Sequence, residues 1–230
     1  MAAWWRRLHG APSPSLFERS GLRKVLLELV DFELLNVGEV RLIVNAVDVA
    51  TGQEQVYDSS KMTITVDHLM ASSAFPVLFK PELIDERHMV DGGLAANLPV
   101  LPLFQEPPGR AVRCLAFDLV SARGNSPSSI DEALQRTQDL LLSAQSKRSL
   151  DMAEMKCSKW KPGVSLLHIA YNGYGEVGGK MLEFSSSSVK IRRGAGETDA
   201  ASALAWLQTP DDMTDCLPTT MKPYKFGCHG

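Results

Sequence analysis

The chain has 230 residues, 44% apolar and 22% charged, with 24 Lys and Arg against 27 Asp and Glu for a formal net charge of -3. Such values fit a globular chain long enough for one sizeable domain, with or without an extension, and exclude disorder throughout. The balanced charge excludes a general basic footprint for nucleic acid and gives no broad pull toward anionic membrane.

In chain order, residues 1–15 read as a polar, proline-bearing lead-in. Arg6-Arg7 is not followed by an apolar core, so no export signal is read there. Ser20 is placed to cap a helix over 22–35 whose apolar stripe is Leu22, Val25, Leu26, Leu29 and Val30. Residues 39–49 alternate and are rich in β-branched side chains, which predicts a strand, and Ala50-Thr-Gly-Gln turns it into a short partner at 54–57. Thr65 to Ala74 predicts a helix ended by Pro76. Met89-Val90 is a short strand that runs into Asp91-Gly92-Gly93. Residues 111–120 (AVRCLAFDLV) form a near-continuous apolar run, the mark of a strand buried on both faces.

A polar loop over 121–129 precedes a long helix from Ile130 to about Lys156, with Leu134, Leu141, Leu142, Ala144 and Met152 as apolar positions. Val164 to Ala170 predicts a buried strand, 173–179 a glycine loop and 197–207 a short helix. From Thr209 onward periodicity is lost. Interleaved strands and helices predict an α/β fold with a partly parallel sheet. No stretch reaches the roughly 18 apolar residues of a membrane span. The chain therefore reads as cytoplasmic, with any membrane contact peripheral. Cys114, Cys157, Cys216 and Cys228 form no C-x-x-C pair, which argues against a zinc ribbon or redox motif, and they read as reduced structural thiols.

The strongest local signal is Met89-Val-Asp-Gly-Gly-Leu-Ala-Ala-Asn-Leu-Pro-Val100. It sets a carboxylate at a strand end, where two glycines let neighbouring backbone come close. Half desolvated by Val90 and Leu94, such an Asp is able to take a proton from a hydroxyl nucleophile. The plainer alternative is that Asp-Gly marks a tight turn and the carboxylate only caps it.

The wider context resembles the patatin-like phospholipases. Val66-Asp-His-Leu-Met-Ala-Ser-Ser-Ala-Phe-Pro-Val-Leu-Phe precedes Val90-Asp-Gly-Gly-Leu-Ala-Ala-Asn-Leu-Pro-Val in that family's order and spacing. Upstream, Ser15-Leu-Phe through Leu29-Val-Asp-Phe and Gly38-Glu-Val-Arg-Leu resemble the corresponding segment of bacterial members. Downstream, Leu167-His-Ile, Lys180, Glu183-Phe-Ser and Gly196 to Asp199 resemble a C-terminal extension of unknown function found in a bacterial subgroup. The resemblance spans roughly 15–208. It implies a three-layer α/β/α domain, N-terminally truncated, with residues 16–125 as the C-terminal part of the hydrolase domain. Residues 126–208 would be a helix plus the extension, and 209–230 an irregular tail.

The implied chemistry is cofactor-free hydrolysis of lipid or other carboxylic esters by a serine–aspartate dyad. In the family the serine of Gly-x-Ser-x-Gly attacks the ester and the D-G-G aspartate is its base, while a glycine-rich loop binds the oxyanion. Carried over by position, Asp91 is the base, and Gly92, Gly93, Asn97 and Pro99 shape the site. The chain departs from the family in having no Gly-x-Ser-x-Gly; the near misses, Gly124-Asn-Ser-Pro-Ser and Gly163-Val-Ser-Leu-Leu, lie downstream of Asp91. No nucleophile is found. Ser72 and Ser73 lack flanking glycines and read as hydroxyls satisfied by backbone. The chain alone is therefore expected to be inactive as an ester hydrolase.

Two alternatives stay open. One is a non-catalytic lipid- or protein-binding remnant, indifferent to Asp91; a truncated product whose sheet lacks its first strands would besides expose edges and apolar surface and aggregate. More weakly, Gly173-Tyr-Gly-Glu-Val-Gly178 matches the dinucleotide fingerprint G-x-G-x-x-G, though a poor helix follows it. The five histidines show no metal spacing, so no metal site is expected. His88 is near enough in sequence to influence Asp91, with surface contact as its plainer role, and His168 reads as a satisfied core residue. Substrate lipid, oligomeric state and the role of the extension are not legible in the sequence.

Overall fold

The computed structural model describes residues 15–171, 185–208, 217 and 220–226, and divides between Ala96 and Asn97 into two units, each with its own sheet. In the first, helix α1 (Ser20–Leu29) and helix α2 (Phe32–Asn36) precede β1 (Ile43–Asp48) and β2 (Glu54–Asp58). Helix α3 (Val66–Ser72) then leads to β3 (Glu82–Ile84) and β4 (Arg87–Asp91). All strands run antiparallel in the order β2-β1-β4-β3.

The single helix predicted over 22–35 is two helices. Asp31 accepts the Leu34 amide at 2.9 Å and starts a new one, because a short acceptor side chain satisfies an amide that an uninterrupted helix would bond through backbone. The predicted stripe does not form core: α1 buries no residue, and Leu29 is 80% exposed. What fixes α1 is polar, beginning with Arg19 at its N-cap, 8% exposed. Helix α3 begins with a reciprocal capping pair, in which the Thr65 amide donates to His68 Nδ1 at 2.9 Å and the Thr65 side chain takes the His68 amide. Its inner face joins Ala71 to Ala46, Tyr57, Ile64, Ile84 and Met89, the core of this unit. Asn36 clasps the backbone of Ile64, donating to its carbonyl at 2.9 Å and accepting from its amide at 2.7 Å.

The second unit holds β5 (Val112–Asp118), the 28-residue helix α4 (Ile130–Cys157), β6 (Val164–Ala170), helix α5 (Ser186–Gln208) and β7 (Met221–Phe226). Strands β5 and β6 pair in parallel across the α4 crossover, and β7 pairs antiparallel to β6. The α/β class with a partly parallel sheet is thus what the structure shows. Its core gathers Leu98, Val100, Phe104, Leu150, Trp160, Leu166 and Phe226.

Several predicted details differ. Strand β5 bonds to β6 alone, and Phe117 is 58% exposed, so the apolar run is an edge among the described residues and not a strand covered on both faces. In α4 the predicted apolar positions Leu134, Leu141 and Met152 are exposed. The buried stripe is Asp139, Ser143, Ser146, Leu150, Ala153 and Cys157, because small side chains let the helix sit close to its neighbours. Helix α5 begins eleven residues before the predicted start at Glu197. The tail expected to be irregular contains β7, whose sequence Met-Lys-Pro-Tyr-Lys-Phe lacks a clean apolar alternation and is buried only at Met221 and Phe226. The segment 173–178 and the residues before Ser15 lie outside the described residues.

Candidate active site

Asp91 is the last residue of β4 and stands opposite Ala46 of β1. Strand alternation puts its side chain on the same sheet face as Ala46 and Met89, the face that packs on α3. Its amide donates to the Ala74 carbonyl at 3.1 Å, just beyond the end of α3. The chain then makes a tight turn over Gly92–Leu94, and Asp91 Oδ1 accepts the Gly93 amide at 2.7 Å. The capping role weighed for this carboxylate is therefore real, but it occupies one oxygen. Burial pushes the Asp91 carboxyl above the usual carboxylate range, opposed by the Gly93 amide and by the positive charge of Arg19. A carboxylate in that state binds a proton more readily than one in water, which is the property a general base needs.

Glycine at position 92 is a steric requirement. A Cβ there would lie 2.4 Å from the Cγ, Oδ1 and backbone oxygen of Asn45. Asn45 is buried in β1, where its Nδ2 donates to Glu54 Oε1 at 2.8 Å and to the carbonyl of Gly92 at 3.2 Å; a longer contact of 3.4 Å reaches the Ala96 carbonyl. This side chain grips the turn that carries Asp91 from the opposite face of the sheet. Sequence reasoning passed over it. The available signal was a lone Asn inside the apolar run Leu42-Ile-Val-Asn-Ala-Val, since a buried amide must find partners.

Asn97 and Pro99 belong to the second unit and are built into its structure. Asn97 Nδ2 donates to Asp118 Oδ1 at 3.0 Å and Ser146 Oγ at 3.2 Å, and its backbone amide donates to Gln145 Oε1 at 3.3 Å. Asp118, 3% exposed, also accepts the Val120 amide at 3.2 Å and meets His168 Nε2 at 3.2 Å. His168 is thus a satisfied histidine, as its place in an apolar strand suggested. Pro99 sits half-buried between Leu98 and Val100, both core residues.

The candidate replacement nucleophiles lie at the end of α3. Ser73 Oγ donates to the Leu69 carbonyl at 3.0 Å and accepts from Arg19, so its hydroxyl is engaged. Ser72 closes the helix. His88 is exposed and projects from the face of β4 opposite to Asp91, and it is not among the groups that shift that carboxyl. Among the described residues no group of three or more His, Cys, Asp or Glu is arranged to hold a metal ion, and no helix is long and apolar enough to cross a membrane. A cleft of about 350 Å³ in the second unit is lined chiefly by apolar side chains such as Leu103, Phe104, Val112 and Trp160, and contains none of the candidate site residues.

Residues 1–104 match the family model of patatin-like phospholipase, a span that includes Asp91, Gly92, Gly93, Asn97 and Pro99. No curated protein matches the chain.

Proposed function

We propose, from the match of residues 1–104 to the patatin-like phospholipase family model, that this chain carries the general-base part of a serine ester hydrolase acting on lipid acyl esters, with Asp91 as the base. The observation that supports this reading most is the state of the Asp91 carboxylate. It is largely desolvated, held by a single backbone amide, and shifted toward proton affinity at the end of a strand whose following turn admits only glycine at position 92. In the proposed step Asp91 takes the proton of a serine hydroxyl as that oxygen adds to the ester carbonyl, and returns it to the leaving alcohol. The serine is not in this sequence, since none of its 230 residues forms Gly-x-Ser-x-Gly. The reaction therefore needs a segment bearing the nucleophile and oxyanion donors. The substrates are lipid carboxylic esters, and contact with a lipid surface is peripheral.

The test compares the chain alone with the chain joined at its N-terminus to a Gly-x-Ser-x-Gly-bearing patatin-like segment, on p-nitrophenyl esters and phospholipid vesicles. The chain alone is expected to show no turnover above background. The joined protein is expected to hydrolyse ester and to lose on the order of 10²-fold or more in rate on Asp91→Asn, in keeping with removal of a general base. Hydrolysis by the joined protein that survives Asp91→Asn removes the base role. Asp91-dependent hydrolysis by the chain alone would return the nucleophile to Ser72 or Ser73.

A further inference from the structure

Arg19 is a cation with almost no access to water: its side chain is 6% exposed and burial pulls its pKa below the ordinary guanidinium value. A buried guanidinium is costly unless its donors are taken up, and here they converge on one place. Nη1 donates to the Met70 carbonyl at 2.7 Å and to Ser73 Oγ at 3.0 Å, and Nη2 donates to Glu82 Oε1 at 2.9 Å. The guanidinium also lies 5.0 Å from the centre of the Phe79 ring. Its partners are therefore the last turn of α3 and the strand β3, the elements beside β4. Glu82 stands opposite Met89, two residues before Asp91. Ala74, the residue after Ser73, accepts the Asp91 amide.

We propose that Arg19 is the positioning residue of Asp91: its fork fixes the turn over 70–74 to which the Asp91 backbone is bonded. This rests on the reading of Asp91 as the reactive carboxylate, but its physical content holds whether or not Asp91 is a base. The titratable and charged groups around this face are Arg19 and Arg23 from the start of α1, Asp67 and His68 from α3, Asp48 from β1, Tyr57 from β2, Glu82 from β3 and Arg87 from β4. Of these, Arg19 is the charge that holds the Asp91 carboxyl down against its burial. Arg23 shares Glu82 at 2.9 Å but turns its other nitrogen to Asp67, away from the 70–74 turn. Removing Arg19 leaves Asp91 with its burial and one amide, so its carboxyl moves further up; removing Arg23 does not.

The experiment is a carbon-13 NMR titration of the Asp91 carboxyl, assigned through Asp91→Asn, together with hydrogen exchange of the Asp91 amide, in the intact chain and in Arg19→Met, Arg19→Lys and Arg23→Met. Arg19→Met is expected to raise the Asp91 titration midpoint and to speed exchange of its amide about tenfold, the loss of one anchored turn. Arg19→Lys keeps the charge without the fork, so the midpoint returns toward that of the unaltered chain while exchange stays fast. Arg23→Met is expected to match the unaltered chain in both. The inference is overturned if Arg19→Met, folded by circular dichroism, leaves midpoint and exchange unchanged, or if Arg23→Met moves them equally. Should Arg19→Met fail to fold, Arg19→Lys decides: unchanged amide exchange in that variant overturns the inference. None of these readouts requires turnover. A shifted Asp91 without Asp91-dependent hydrolysis in the joined protein would keep the role of Arg19 and remove that of the base.

Discussion

Asp91 follows two buried residues, Met89 and Val90, and ends a strand inside the first unit's sheet, so its carboxylate is drawn out of water by its own neighbours. That placement links charge to stability. The folded-state pKa is raised above the ordinary 3.8, chiefly by burial, so the folded protein holds this proton more tightly than the unfolded chain. The stabilising contribution of the protonated form is then complete below the unfolded value and is lost as pH rises through the raised folded value. Asparagine cannot ionise, yet keeps an oxygen for the Gly93 amide. Asp91→Asn is therefore expected to melt above the unaltered chain at about pH 7, with the gap closing below about pH 4. Thermal unfolding across that range checks it, and a variant that melts lower at neutral pH would mean that attraction to Arg19 outweighs burial. Asp91 and Gly92 were legible in the sequence because a short run of special residue types carries them. Arg19 and Asn45 were not, since what makes them matter is contact with residues roughly 50 positions away: Met70 and Ser73 for one, Gly92 for the other. Nothing in a local pattern separates Arg19 from a solvated arginine.

At the scale of elements, the hairpin of β3 and β4 delivers Asp91, and it was half read: Met89-Val90 was seen as strand and the partner at Glu82–Ile84 was missed. The reason is the turn. Asp85 and Glu86 adopt φ of 47° and 63°, a left-handed pair that hairpins ordinarily fill with Asn-Gly or Asp-Gly, so the usual marker is absent. Aspartate tolerates this region, but glutamate there is strained by about 1 kcal/mol. Glu86→Gly makes the pair Asp-Gly and is expected to stabilise the chain by up to about 0.5 kcal/mol once the entropy of glycine, roughly 0.5–1 kcal/mol, is set against the relieved strain, a rise of up to about 2 °C in melting temperature. A drop in melting temperature would show that the Glu86 side chain contributes more than its backbone costs. The long helix was read better in its extent than on its face. The long helix was expected at 130–156 and spans 130–157, yet its buried stripe is mostly small or polar side chains with Leu150, while the expected Leu134, Leu141 and Met152 lie outside it. Periodicity finds a helix, but the side that is buried depends on how closely the next layer approaches, which the sequence does not state.

At the scale of the molecule, the first unit buries one compact set of side chains around Tyr57 and Met89, and among the described residues many of its apolar side chains stay exposed. Leu27, Leu29, Leu34, Val37 and Val40 are each more than half exposed, and they lie close together in the chain along α1, α2 and the approach to β1. Single exposed leucines are ordinary, whereas a run of them favours association, because contact between two such surfaces removes apolar area from water. The chain is therefore expected to bind a hydrophobic dye in its native state and to associate as its concentration rises. Leu29 and Val40, 80% and 78% exposed, contribute little to the fold, and Leu29 ends a helix with no basic residue in its last turn. The double change Leu29→Lys with Val40→Lys should leave stability within about 0.5 kcal/mol, helped by a cation near the carboxyl end of α1. Dye binding and the association seen in sedimentation should both fall. If the unaltered chain stays monomeric at high concentration and binds no dye, these side chains do not act as one patch. If the double variant instead loses stability by several kcal/mol, the residues are covered in solution, and the exposed face of α1 is part of the folding core.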